Sequence, residues 1–408
     1  MLKNRDIIVF SDDWGRHPSS CQHIVKHLLP ENRVLWVNTI GIRSPQLTAY
    51  DIKRSFEKLR SWLSETAGNG KGGPDSPVIV SPVIIPYNAI GPVRRFNKHM
   101  VVRSVRGAMA QYDIKRPIVI TTFPTTVDYL NAFDEIAHVY YCVDDFTSWP
   151  GVDRDLIKRM EDRLLIECDL TLATSEELCR KKVRKGRKPS PLFHGVDFEH
   201  FSTCRIGTRA SAVRHIPSPV IGFFGAVSAW LDFTLLTRCA AARPAWSFVF
   251  VGPVDTDVRP LSAFSNVHCV GNVPYEELPA YAASFDVALI PFAVNELTRN
   301  VNPLKLLEYL ACGLPVVSTD MPEVRKFSDV ISIAKTPEAF LAAIERALAN
   351  DSPELRAARR ERARHYSWKA VAEELSAYIS KVLQQKRLLR EKAEREYAVR
   401  RIWNRSER

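Results

Sequence analysis

Short apolar runs, many of them β-branched, alternate with helix-length amphipathic segments along the chain. That alternation leaves few architectures open. Runs at 6–10, 33–38, 117–122, 138–143 and 170–174, and again at 220–224, 247–252, 287–291 and 330–334, lack the strict polar–apolar alternation of a strand with one wet face, and a further short strand is expected at 266–269. Strands buried on both faces belong to parallel sheets covered by helices, so the chain reads as α/β. Its 408 residues, 46% of them hydrophobic, suffice for two such domains.

The densest local signal lies at 302–319, Asn-Pro-Leu-Lys-Leu-Leu-Glu-Tyr-Leu-Ala-Cys-Gly-Leu-Pro followed by Val-Val-Ser-Thr. Asn302 suits an N-cap and Pro303 the first helical position, and Gly313 with Pro315 ends the helix before a strand begins at Val316. The spacing predicts a helix of about ten residues, roughly 15 Å long. Lys305 falls in the first turn, where the positive end of the helix dipole disfavours a cation. Free backbone N–H groups beside Pro303, on Asn302 and Leu304, together with the dipole and an ammonium suit a phosphate. Glu308 shares the face of Lys305, about 4.5 Å further along the axis, within reach of a ribose attached to that phosphate. An ordinary i,i+3 Lys–Glu pair on a solvated face is the competing reading.

The run from Asn302 to Val317, with Pro322-Glu323-Val324 after it, resembles the nucleotide-sugar signature of two-domain GT-B glycosyltransferases of the group 1 (family four) type. The resemblance implies two Rossmann-like β/α/β domains facing across a cleft. In that family a Glu-x7-Glu pattern ends in a carboxylate that holds the donor ribose. Glu308 matches the second position, and Asn300 stands at the first. The Lys-Leu-Leu-Glu-Tyr form is also similar to bacterial polysaccharide glucuronosyltransferases and teichuronic-acid-type enzymes, which implies a donor-phosphate role for Lys305. Gly225, in the loop after strand 220–224, matches the family's turn near the donor phosphates, and Val273 matches a position lining the base pocket. The Arg and Lys that often follow that turn are replaced by Trp230, Leu231 and Asp232, which leaves Lys305 more of the phosphate.

In the first half, 140–144 resembles the strand and aspartate that supply the general base of inverting polysaccharide enzymes. By that match Asp144 takes the acceptor's proton, and Asp145 does so if the register is one residue off; a helix-capping role before 153–167 stays open. Asp12, Asp13 and His17, in the loop after the first strand, either face an acceptor or cap a turn. The resemblance divides the chain into an acceptor domain at 1–201, a donor domain at 202–365, a helix at 366–385 that crosses back, and a basic helical tail at 386–408.

The net charge of +11 favours an anionic partner: a nucleotide-diphosphate sugar, an acidic membrane surface or nucleic acid. Nucleic acid is disfavoured because no binding module accompanies the charge. A basic amphipathic helix at 50–63 and the cations Arg94, Arg95, Lys98, Arg103 and Arg106 support peripheral contact with an anionic membrane; a core-facing helix with a solvated basic rim is the alternative. No run reaches membrane-spanning length, and charges interrupt the first residues, so neither a signal peptide nor a span is expected. Eight cysteines without Cys-x-x-Cys spacing read as reduced thiols of a cytoplasmic protein. Gly-x-Gly-x-x-Gly and Walker motifs are missing, which argues against nicotinamide and P-loop chemistry. The Asp-x-Asp pairs at 153–155 and 255–257 suit a helix start and a turn, so neither metal nor cofactor is expected.

The expected activity is transfer of a sugar from a nucleotide-diphosphate donor to a glycan or lipid-linked acceptor in surface polysaccharide synthesis, at the inner membrane face. A nucleotide-sugar 2-epimerase of the same fold and a non-catalytic, membrane-associated nucleotide-sugar-binding homologue are the alternatives.

Overall fold

The computed structural model describes residues 1–16, 18–39, 76–149 and 151–406, with side chains through 397. The basic helix expected at 50–63 and His17 lie outside them. The chain forms two compact units: Met1–Ala173 with Cys179–Leu192 and Ala372–Arg408, and Thr174–Leu178 with Phe193–Val371.

The first unit holds a seven-stranded sheet in the order β3-β2-β1-β4-β5-β6-β7. Its strands are β1 Asp6–Ser11, β2 Arg33–Asn38, β3 Val78–Val80, β4 Ile118–Thr121, β5 Ala137–Cys142, β6 Leu170–Ala173 and β7 Ser190–Pro191. All pairs are parallel. Ile7 to Phe10 and Val139 to Cys142 are almost fully buried, so the continuous apolar runs do mark strands covered on both faces.

The second unit repeats the design with six parallel strands in the order β10-β9-β8-β11-β12-β13. These are β8 Val220–Phe224, β9 Ser247–Val251, β10 Val267–Gly271, β11 Val287–Ile290, β12 Val316–Thr319 and β13 Ser332–Ala334. In each sheet the chain moves outward one way and then restarts beside its first strand, the doubly wound Rossmann order. Such sheets bind ligands beyond the carboxyl ends of the strands where the direction reverses, here between β1 and β4 and between β8 and β11.

Residues 193–201, expected in the first domain, pack into the second. Val196 N donates to Tyr366 O at 2.7 Å, and Phe201 stacks on Phe224 with ring centroids 6.0 Å apart. Val196, Phe198 and Phe201 join the core of the second unit. The last helix runs unbroken from Trp368 to Ser406, past the expected boundary at 385, and its part from Ala372 onward belongs to the first unit. There Lys386 bonds both carboxylate oxygens of Asp169 at 2.8 Å.

Candidate active site

The site in the second unit is built where β8 and β11 diverge. The loop after β8 carries Gly225, and the chain after β11 passes through the short helix Glu296–Arg299 into the helix Leu304–Cys312. Topology therefore brings the glycine turn to the amino end of that helix. Gly225 lies against the Lys305 side chain: a Cβ there would sit 1.9 Å from Lys305 Cε and 2.7 Å from Nζ. The φ of +126° at Gly225 is itself a backbone region that side chains avoid.

Close backbone packing extends sideways. Gly225 N donates to Val251 O at 2.8 Å and Gly252 N to Gly271 O at 2.7 Å. A Cβ at Gly252, whose φ is +146°, would come within 2.2 Å of Gly225 O. Three neighbouring parallel strands thus end in glycines of positive φ, leaving an edge of bare backbone. The sequence reading used only the first of them, although Gly252 and Gly271 also follow apolar runs.

The helix starts one residue later than the sequence suggests and spans nine residues. Pro303 occupies the cap position with no side-chain cap bond, and Gly313 closes the helix at φ +83°. Asn302 does not cap it; its Nδ2 donates to Thr174 O at 3.1 Å, pinning the entry loop instead. Leu304 opens the helix half-buried, next to Lys305. The end of the dipole is consequently left without a side-chain acceptor, as an anion site requires.

Lys305 Nζ stands 5.6 Å from the centre of the Phe223 ring, a residue that the sequence reading missed. Burial holds the ammonium below the usual lysine range, and Glu308 opposes that shift without cancelling it. Burial pushes the Glu308 carboxyl up to about 7, with Lys305 pulling the other way. Both groups are half-buried and turned towards protein, so the ordinary solvated i,i+3 pair does not describe them. Tyr275 completes the neighbourhood: burial and the Glu308 carboxylate push its phenol above its usual range, and its ring stacks on His200 at 4.8 Å. Val273, in the same turn, is half-buried against the core. Tyr309 is fully buried, and its hydroxyl accepts from Phe224 N at 2.9 Å, tying the helix to the end of β8.

Asn300 is buried, with Nδ2 donating to Glu296 O at 2.8 Å and its carbonyl accepting from Ser175 Oγ at 2.7 Å. Asp232 caps the helix Phe233–Ala242, accepting from Leu235 N at 2.8 Å. Asp153 caps the helix Arg154–Glu167, and Asp257 is paired with Arg259.

In the first unit the two adjacent aspartates after β5 have opposite environments. Asp145 is fully buried and accepts from Thr147 Oγ1 and Ser148 Oγ, both at 2.8 Å, from Lys181 Nζ at 2.7 Å and from Lys182 Nζ at 2.8 Å. Despite its burial, those cations hold its carboxyl well below the usual carboxylate range. Lys182 also bonds Glu161 at 2.7 Å, and Tyr140 donates to Glu161 at 2.8 Å, so Asp145 is one end of a buried ionic chain. Asp144 instead accepts from Asp145 N at 2.7 Å and Trp149 Nε1 at 2.9 Å. Burial pushes its carboxyl up, the direction that favours a proton acceptor at neutral pH. In the loop after β1, Asp12 accepts from Ser11, Ser19 and Gln22 at 2.8 to 3.0 Å, which is a braced turn. Asp13 lies 3.6 Å from Arg16.

Residues 218–350 match the family model described as Glycosyl transferases group 1. A Bacillus subtilis (strain 168) protein named "Putative teichuronic acid biosynthesis glycosyltransferase TuaH" is 30% identical over 238 residues; the match covers 55% of this chain and 60% of the relative's length. Among solved structures, sucrose-phosphate synthase from Thermosynechococcus elongatus superposes with a TM-score of 0.71 at 15% identity, covering 94% of this chain and all of that one. An Anabaena protein solved with UDP and glucose gives 0.62 at 12% identity, over 92% of this chain and 99% of its own. These neighbours carry the GT-B fold. Residues 218–350 are thus similar to the group 1 glycosyl transferases, and the chain has the GT-B fold.

Proposed function

We propose that the protein is a glycosyltransferase that moves a sugar from a nucleotide-diphosphate donor to a glycan or lipid-linked acceptor of a surface polysaccharide. The observation that carries this reading is the packing of Gly225 on Lys305 at the uncapped start of the helix that also bears Glu308. An ammonium, a helix amino end and bare glycine backbone converge there on one small volume. Lys305 and the backbone N–H groups of Asn302 and Leu304, on either side of Pro303, stabilise the charge that grows on the departing diphosphate. Glu308, when ionised, accepts from the ribose hydroxyls, and Val273 lies along the base. The Anabaena neighbour solved with UDP supports a uridine nucleotide as the first donor to try.

For direct displacement, the acceptor oxygen bonds to the anomeric carbon, the bond from that carbon to the diphosphate oxygen breaks, and the acceptor proton passes to Asp144. Asp144 is preferred over Asp145 because its carboxyl is raised and holds two donors, whereas Asp145 is saturated by two lysines and two hydroxyls.

No helix among the described residues is long and apolar enough to cross a membrane. On this reading a lipid-linked acceptor is met at the cytoplasmic membrane surface. The test is a panel of nucleotide sugars by thermal shift, followed by lipid-linked acceptors with product analysis. A stabilising donor whose sugar appears on the acceptor is the expected result. Conversion of the donor alone to its 2-epimer, or binding without turnover of any donor, would sink the reading.

A further inference from the structure

We propose that residues 83–96 form a built docking face for an anionic lipid bilayer, seated at the carboxyl edge of the first sheet. The inference rests on the glycosyltransferase reading only for the lipid-linked acceptor that it brings into reach.

Val83, Ile85, Tyr87, Ile90 and Phe96 are 38 to 50% exposed, and they gather within one short segment most of the exposed large apolar side chains described in the first unit outside the termini and the last helix. Their exposure is fixed rather than slack. Ile84, between two of them, points into the core formed with Val80 and Val101. The Asn97 side chain is 1% exposed and clamps the backbone of Ile85 from both sides, accepting from Ile85 N at 2.9 Å and donating to Ile85 O at 2.7 Å. Ile90 N donates to Tyr87 O at 3.2 Å, closing the turn into the helix Gly91–Gln111. That helix buries Asn97, Val101, Val105 and Ala108, which leaves Arg95, Phe96, Lys98 and Arg103 on the outside.

Charge selects the occupant. From Ser76 to Tyr112 the chain has five cations and no carboxylate. Arg94 is neutralised by Asp128 at 3.0 Å, while Arg95 and Lys98, next to Phe96 in the helix, and Arg103, about two turns further on, stay exposed. Exposed apolar side chains followed by exposed cations match the boundary between acyl chains and anionic headgroups. A second copy of this chain would set those cations against their own images, which disfavours a symmetric dimer on this face.

The segment leaves the carboxyl end of β3, and Asp144 follows the carboxyl end of β5 in the same parallel sheet. Four strand spacings separate them, about 19 Å. A bilayer held at this edge would present headgroup-borne sugars on the side of the sheet where Asp144 lies.

Flotation of the full chain with vesicles of phosphatidylcholine, with and without phosphatidylglycerol, tests the inference on two triple variants. One carries Ile85→Ser, Ile90→Ser and Phe96→Ser, the other Arg95→Gln, Lys98→Gln and Arg103→Gln. Wild type should float only with the anionic vesicles, and each variant should partition at least about tenfold more weakly. Nucleotide release from the donor in vesicle-free solution is measured alongside and should match wild type in both variants. Flotation unchanged by the variants, flotation indifferent to lipid charge, or a dimer that the apolar variant dissolves without any flotation would each overturn the docking face. If flotation follows the expected pattern while no donor is ever turned over, the docking face stands and the enzymatic reading falls.

Discussion

Lys305 occupies the space that a side chain at Gly225 would need. The clash distance of 1.9 Å to Lys305 Cε and the φ of +126° make the glycine obligatory twice over. Gly225→Ala is expected to cost about 1–3 kcal/mol of stability and, by pushing the lysine aside, at least about tenfold in donor affinity. Gly207→Ala is the control: its φ is +91°, but nothing lies within 4 Å of the added Cβ. That variant should lose some stability and keep donor affinity, as read by denaturant melts and titration calorimetry. Equal donor affinity in Gly225→Ala and wild type would refute the packing argument.

Lys305 offers a sharper separation of binding from folding. Burial depresses its ammonium, so the charged form costs the folded state something that a bound diphosphate would offset. Lys305→Met should reduce turnover by about 10²–10³-fold while leaving the urea midpoint unchanged or higher. A lysine retained for stability would behave the opposite way, with a lower midpoint and near-normal turnover per folded molecule.

The sheets were legible in the sequence because burial on both faces produces apolar runs that need no partner information; 220–224 is the same strand in both readings. Contacts distant in sequence were not legible. Asn302 looks like a cap, but its bond goes to Thr174, 128 residues earlier, and Pro303 takes the cap position. Nothing near Asp145 in sequence announces Lys181 and Lys182, so two neighbouring carboxylates looked alike. The helix Gly91–Gln111 shows in the sequence only as a basic stretch, because the polar Asn97 sits on its buried face and breaks the apolar stripe. The helix Pro353–Arg364 hides for a similar reason: its buried Arg359 bonds Gly313 O and Asp351.

Glu308 should set the pH dependence of donor binding. Its carboxyl is raised to about 7 from an ordinary 4.5, so the folded protein holds the proton more tightly than the unfolded chain. Stability from this group is fully present below about pH 4.5 and is lost as pH rises through about 7. Glu308→Gln should therefore flatten that slope and be more stable than wild type at pH 8, by about 1–2 kcal/mol once the side chain's partial contact with solvent is allowed for. Donor affinity should move the other way, rising several-fold from pH 6 to pH 8 because only the ionised carboxylate accepts both ribose hydroxyls. Calorimetry with an intact nucleotide sugar, whose phosphates do not titrate in this range, reads the effect directly. A pH-dependent affinity that persists in Glu308→Gln would place the titrating group elsewhere.

The adjacent aspartates should separate by phenotype. Asp145→Asn removes the charge facing Lys181 and Lys182, and Lys182, with only 2% of its side chain exposed, keeps just Glu161. Breaking a buried pair from one side costs about 3 kcal/mol or more, so this variant should unfold at much lower denaturant, with activity lost in step with folded protein. Asp144→Asn removes no ion pair among the described residues, but Asp145 N and Trp149 Nε1 bond different carboxylate oxygens, so the amide leaves one of them unpaired. It should lose about 1–2 kcal/mol of stability, less than Asp145→Asn, while the folded protein binds donor normally and transfers sugar at least about 10²-fold more slowly. The pH–rate profile supplies a second reading, since the ascending limb should report the raised Asp144 carboxyl and disappear in Asp144→Asn. A fully active Asp144→Asn variant would remove it as the base, and an Asp145→Asn variant as stable as wild type would remove the ionic chain as the reason that carboxylate is buried.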